Sequence, residues 1–117
     1  MKVLLVDDEE ELVTTLAERL SFRGVDAQWA TTGYDAVALV KNEPFDVVVL
    51  DVKMPHLNGI QLKKELERIR PAMNYVFVTG HGSEEDFRVG SAEAGHYLAK
   101  PLDIETLVAT LMEVAKK

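Results

Sequence analysis

A chain of 117 residues with 47% hydrophobic and 28% charged side chains has room for one domain with a real core, and its composition is neither that of a disordered nor of a membrane chain. The formal charge of −7, with no long run of Lys or Arg, disfavours a nucleic-acid surface built on phosphate contacts; the absence of cysteine removes disulfide frameworks, thiolate catalysis and Cys-based zinc sites. The longest apolar runs, 3–6 and 47–50, are far shorter than a bilayer span and nothing after Met1 reads as an export segment, so the expectation is a cytoplasmic domain away from membranes.

Three short β-branched runs mark strands at 2–6, 46–50 and 75–78, and two weaker ones fit 27–30 and 96–99. The strong runs are continuously apolar rather than alternating, as expected of strands covered on both faces. Between them, Leu12, Leu16 and Leu20, with Val13 and Ala17, give a helix ending by Gly24. A second helix runs from about Tyr34 to Asn42, ahead of Pro44. A third carries Leu62, Leu66 and Ile69 and stops at Pro71, where a helix interior would lose a hydrogen bond. A fourth segment at 83–94, with Gly90 inside it and few large apolar residues, is expected to be short or mobile. A fifth starts with Asp103 as N-cap and presents Ile104, Leu107, Val108, Leu111 and Met112. Trp29 reads as packing. The strict alternation of β and α implies right-handed crossovers. The expected fold is α/β, a doubly wound five-stranded parallel sheet of flavodoxin-like (βα)5 type with helices on both faces, residues 1–117 forming one domain. Function in such a sheet sits at the carboxyl ends of the strands.

Those ends carry the polar residues. Asp7 and Asp8 follow the first strand, Asp51 the third, Thr79-Gly80 the fourth and Lys100-Pro101 the fifth. The fold would gather three carboxylates, a hydroxyl and an ammonium into one shallow site. Neighbouring carboxylates repel unless a cation compensates, and an all-oxygen cluster suits Mg²⁺. With the metal bound, one carboxylate can attack a phosphoryl group whose equatorial oxygens are held by the metal, Thr79 and Lys100.

In this order, Val6-Asp7-Asp8-Glu9, Asp51-Val52-Lys53-Met54-Pro55 with Gly59, Val78-Thr79-Gly80 and Lys100-Pro101 resemble the receiver domains of bacterial two-component response regulators, CheY-like proteins, over essentially the whole chain. The resemblance implies that Asp51 accepts phosphate from a sensor histidine kinase or phosphotransfer protein. It implies that Asp7, Asp8, Asp51 and the backbone carbonyl of Lys53 serve Mg²⁺ or Mn²⁺, that Lys100 pairs with the phosphoryl group, and that Thr79 moves toward it. Gly80 would leave the phosphoryl oxygens accessible. Tyr97 matches the family's switch aromatic, whose rotation remodels the face made by the fourth helix, fifth strand and last helix. An output domain beyond this chain, or a homodimer through that face, is compatible with the resemblance. One departure stands out: Ala94-Gly95-His96-Tyr97 reaches the aromatic with fewer residues than the family's usual Gly-Ala-x-Asp-Tyr stretch.

The same positions also admit structural roles. Asp8 with Glu11 also fits a helix cap, Lys100 a surface lysine, and Thr79 and Tyr97 ordinary strand packing; the company of Asp7 and Asp51 favours the site. His56, His81 and His96 share no metal-binding spacing and read as loop or edge residues. A haloacid-dehalogenase-like phosphatase needs a second acid two residues after the nucleophile, where this chain has Lys53. A flavodoxin-like nucleotide carrier would be repelled by Asp7-Asp8. The expectation is therefore a phosphoacceptor rather than an enzyme, capable at most of self-phosphorylation from phosphodonors and autodephosphorylation. The alternative is a receiver fold used as a non-phosphorylated interaction module.

Overall fold

The computed structural model describes residues 1–54, 57–80 and 96–115. Along the chain run β1 (Lys2–Val6), α1 (Glu10–Ser21), β2 (Asp26–Ala30), α2 (Gly33–Asn42), β3 (Val47–Asp51), β4 (Lys53–Met54), β5 (Leu57–Asn58), α3 (Gly59–Ile69), β6 (Asn74–Thr79), β7 (Tyr97–Ala99) and α4 (Ile104–Ala115). The expected fourth helical segment at 83–94 lies outside the described residues. The main sheet has the order β2-β1-β3-β6-β7 with every pairing parallel. The antiparallel ribbon β4–β5, two residues a side, carries no periodic pattern and was not expected.

Continuous apolarity in the central strands has the cause anticipated for it. Side chains alternate across a strand, so Val3, Leu5, Val47 and Val49 face one layer with Val13, Leu16 and Leu20 of α1 and Leu107, Leu111 and Val114 of α4. Leu4, Val6, Val48 and Leu50 face the other, against Ala36 and Val40 of α2 and Leu62 and Leu66 of α3. All five residues of β3 are buried. With both faces covered, a polar residue is admitted only at a strand's end, and that restriction gives the site its position.

Helix starts are fixed by local polar groups. The Thr32 hydroxyl accepts from Asp35 N at 3.0 Å ahead of α2, Asn58 Oδ1 from Ile60 N at 2.7 Å ahead of α3, and Asp103 Oδ2 from Thr106 N at 3.1 Å ahead of α4, each satisfying a donor that the helix leaves open. The α1 helix lacks such a cap: its N-cap is Glu9, which makes no side-chain cap bond, so Asp8 does not act there as the sequence allowed. At the other end of α1, Gly24 adopts φ 80°, a left-handed turn open to glycine at little cost.

The expected packing role of Trp29 is not what the structure shows. The residue is 38% exposed, because β2 is an edge strand whose middle positions are only partly covered. Among the described residues no helix is long and apolar enough to cross a membrane.

Candidate functional site

The sheet order places β1 between β2 and β3. The chain leaves β1 toward one side and crosses back to β3 on the other, so the connections at the carboxyl ends of β1 and β3 diverge and open a crevice. Asp7 stands directly after β1, its N–H still donating to Ala30 O at 3.2 Å. Asp51 is the last residue of β3. Both are nearly buried, at 6% and 5% exposure, while Asp8 faces solvent. One carboxylate oxygen from each of Asp7, Asp8 and Asp51 falls within 4.8 Å of the others.

Lys100 arrives from the opposite half of the sheet. Its N–H donates to Thr79 O at 2.8 Å, extending the β6–β7 ladder by one residue and aiming the side chain at the crevice. Nζ then lies 2.7 Å from Asp7 Oδ2, 2.7 Å from Glu9 Oε1 and 3.5 Å from Asp51 Oδ2. The remaining carboxylate oxygens are held by backbone: Asp7 Oδ1 accepts from Glu9 N at 3.0 Å, and Asp51 Oδ1 from Lys53 N at 3.1 Å.

Electrostatics follow from that crowding. Burial, reinforced by the charge on Asp7, pushes the Asp51 carboxyl up from 3.8 to about 6, against the pull of Lys100 and the Lys53 N–H. Burial also raises Asp7, with the Lys100 and Glu9 hydrogen bonds opposing it. For Lys100, desolvation works against the charge, but the hydrogen bonds to Asp7 and Glu9 and the charges of Asp7 and Asp51 outweigh it and lift the ammonium above its ordinary range. Two acids are thus strained toward neutrality around a firmly charged lysine, the pattern of a site short of positive charge. Three carboxylates against one ammonium leave net negative charge. Their hard oxygen donors fit a divalent cation such as Mg²⁺.

The other sequence-assigned residues fall around this centre. Thr79 ends β6, 2% exposed, one residue beyond the pairing of Val78 with Asp51. Tyr97 opens β7 opposite Phe77, half-buried and packed on the α2–α3 side of the core. Lys53 begins the β4–β5 ribbon. A Cβ on Gly59 would stand 2.2 Å from the Asp51 carbonyl oxygen, so the start of α3 presses against the acceptor strand at a distance only glycine permits. At Gly80 a Cβ would meet, among the described residues, only the Lys100 side chain, at 3.6 Å. His96 precedes the edge strand β7, its Nε2 4.0 Å from Glu113; His56 and His81 lie outside the described residues. Two contributors escaped the sequence reading: Glu9, and the Lys53 N–H that fixes Asp51. The run Asp7-Asp8-Glu9 placed Glu9 nearby, but nothing local pointed to Lys100 as its partner.

Fold and site together define a doubly wound α/β domain with an acidic crevice at the switch point of its sheet. Residues 3–112 match the response regulator receiver domain family, and the chain belongs to that family, the phosphorylation-based signalling unit of two-component systems. Over 93% of its length it is 37% identical to the transcriptional regulatory protein ZraR of Salmonella typhimurium, of which it spans 25%; it covers about a quarter to a half of the curated relatives it matches. A CheY-like response regulator receiver domain protein from Methanospirillum hungatei superimposes with a TM-score of 0.89 at 30% identity, over 98% of this chain and 93% of that one. A response regulator protein from Burkholderia pseudomallei, solved with a phosphorylated aspartic acid, calcium ion and citrate, gives 0.87 at 28% identity, over 98% and 68%.

Proposed function

We propose that Asp51 is the phosphoacceptor of this receiver domain and that Asp7, Asp8 and the backbone carbonyl of Lys53 join it in holding Mg²⁺ or Mn²⁺. The observation that carries this reading is the convergence on Asp51: two further carboxylates within 4.8 Å and the Lys100 ammonium at 3.5 Å, from elements brought together by the sheet. The phosphorylated aspartic acid and calcium ion of the Burkholderia relative support it by likeness. A bound divalent ion supplies positive charge to the carboxylates and to the phosphoryl oxygens.

The chain's own residues do the rest. Asp51 Oδ2, the oxygen not engaged by the Lys53 N–H, attacks phosphorus; the P–O bond forms as the P–N bond of a kinase phosphohistidine breaks, and histidine leaves with the electron pair. Lys100 pairs with a phosphoryl oxygen, and the Thr79 hydroxyl, at the end of β6, moves to another. Tyr97, two residues before Thr79's partner Ala99 on the adjacent strand, follows inward and alters the face made by β7, α4 and the expected fourth helical segment at 83–94. The domain is a phosphoacceptor with at most self-phosphorylation and autodephosphorylation of its own. Residues 1–117 act as one cytoplasmic domain, receiving phosphate from a sensor histidine kinase or phosphotransfer protein and passing the change to an output domain or a second copy through that face.

Incubation with Mg²⁺ and acetyl phosphate tests the reading: intact-mass measurement should show a gain of one phosphate, lost on adding a chelator beforehand and absent in Asp51→Asn. No gain with any small donor would favour an unphosphorylated interaction module.

A further inference from the structure

Glu9 lies just past the paired aspartates, and its Oε1 is as close to Lys100 Nζ, at 2.7 Å, as Asp7 is and closer than Asp51 at 3.5 Å. Both ends of this ion pair are anchored through backbone. Glu9 N donates to Asp7 Oδ1 at 3.0 Å, and its carbonyl accepts from Val13 N at 3.1 Å to open α1. Lys100 N donates to Thr79 O at 2.8 Å. The pair sits at the mouth of the crevice, where the Glu9 side chain is 60% exposed and that of Lys100 only 14%.

We propose that Glu9 is a positioning residue acting through Lys100: it holds the ammonium at the α1 side of the crevice, and phosphoryl transfer requires Lys100 to exchange this carboxylate for a phosphoryl oxygen. The inference rests on Asp51 as acceptor. In the metal-free site Lys100 is shared between Asp7 and Glu9, with Asp51 at the longer distance of 3.5 Å. Once the charge of Asp7 is engaged by a divalent cation, Glu9 is, among the described residues, the carboxylate at hydrogen-bond distance that still competes with the acceptor for the ammonium. Neutralising it frees Lys100 for the incoming group. Glu9 is largely solvated, so the pair is partly screened and the gain in rate is about two- to fivefold.

The test uses the full chain with Glu9→Gln, Lys100→Met and the double substitution, folding checked by circular dichroism. Two quantities are read: the ¹⁵N-resolved ammonium signal of Lys100 without metal, and the rate of phosphorylation by acetyl phosphate at saturating Mg²⁺. Glu9→Gln should shift or broaden the Lys100 signal and raise the rate about two- to fivefold, and the rise should vanish in the Lys100→Met background. An unmoved ammonium signal, an unchanged rate, or a rise that persists without Lys100 (a simple relief of repulsion toward the anionic donor) would each overturn the proposal. If even the unsubstituted chain takes up no phosphate, Asp51 as acceptor fails and the positioning role fails with it, while the metal-free signal still reports separately whether Glu9 and Lys100 pair.

Discussion

Replacing Asp51 by Asn should stabilise the metal-free domain. In the folded chain burial lifts the Asp51 carboxyl from 3.8 to about 6, so above that pH the native state carries a charge it holds less comfortably than the unfolded chain does. At 1.36 kcal/mol per tenfold change in proton affinity, the penalty at neutral pH is about 3 kcal/mol. The sign follows from proton counts: between about pH 4 and pH 6 the folded state keeps a proton that the unfolded state has lost, so wild-type stability falls as pH rises through this window and is level above it. Asn keeps the acceptor for the Lys53 N–H, now at 3.1 Å from Asp51 Oδ1, and removes the charge. Thermal unfolding without metal at pH 7.5 should therefore show Asp51→Asn melting roughly 8–12 °C above the wild type. The advantage should disappear below about pH 4. Saturating Mg²⁺ should narrow the gap, because the ion binds the wild-type site more tightly and stabilises it by mass action. Equal or lower stability of Asp51→Asn at pH 7.5 would refute the claim that the site is short of positive charge.

Three further outcomes are expected. Protons compete for Asp7 and Asp51, both held above their ordinary range, so Mg²⁺ affinity measured by calorimetry should weaken as pH falls from 7.5 through about 6; a flat profile would contradict the assigned ligands. Gly59→Ala places a methyl 2.2 Å from the Asp51 carbonyl oxygen and should cost on the order of 1–3 kcal/mol in denaturant unfolding, with slower phosphorylation because the acceptor strand must shift. Asp103→Ala removes the cap that accepts from Thr106 N and Oγ1 at 3.1 and 2.9 Å, and should lower the melting temperature while leaving Mg²⁺ affinity measured by calorimetry unchanged.

The sheet was legible because its strands are buried on both faces and so are written as unbroken β-branched runs; β3 is the clearest example. The site was legible for the same reason, since a charged residue at the end of such a run has no reading as core. Edges were harder. Trp29 looks like packing until β2 proves to be an edge strand with a half-open face. The β4–β5 ribbon is two residues a side, too short to carry a period. Glu9 shows what a sequence cannot announce: its partner Lys100 lies 91 positions away, and their meeting depends on Lys100 extending the β6–β7 ladder by one more hydrogen bond.

The central claim, that Asp51 is the residue phosphorylated, is tested most directly by chemical mapping. After incubation with Mg²⁺ and acetyl phosphate, borohydride reduction converts an aspartyl phosphate to homoserine, which peptide mass spectrometry can place. Homoserine at position 51 is the predicted result; homoserine at Asp7 or Asp8, or phosphate on a residue other than aspartate, would contradict it.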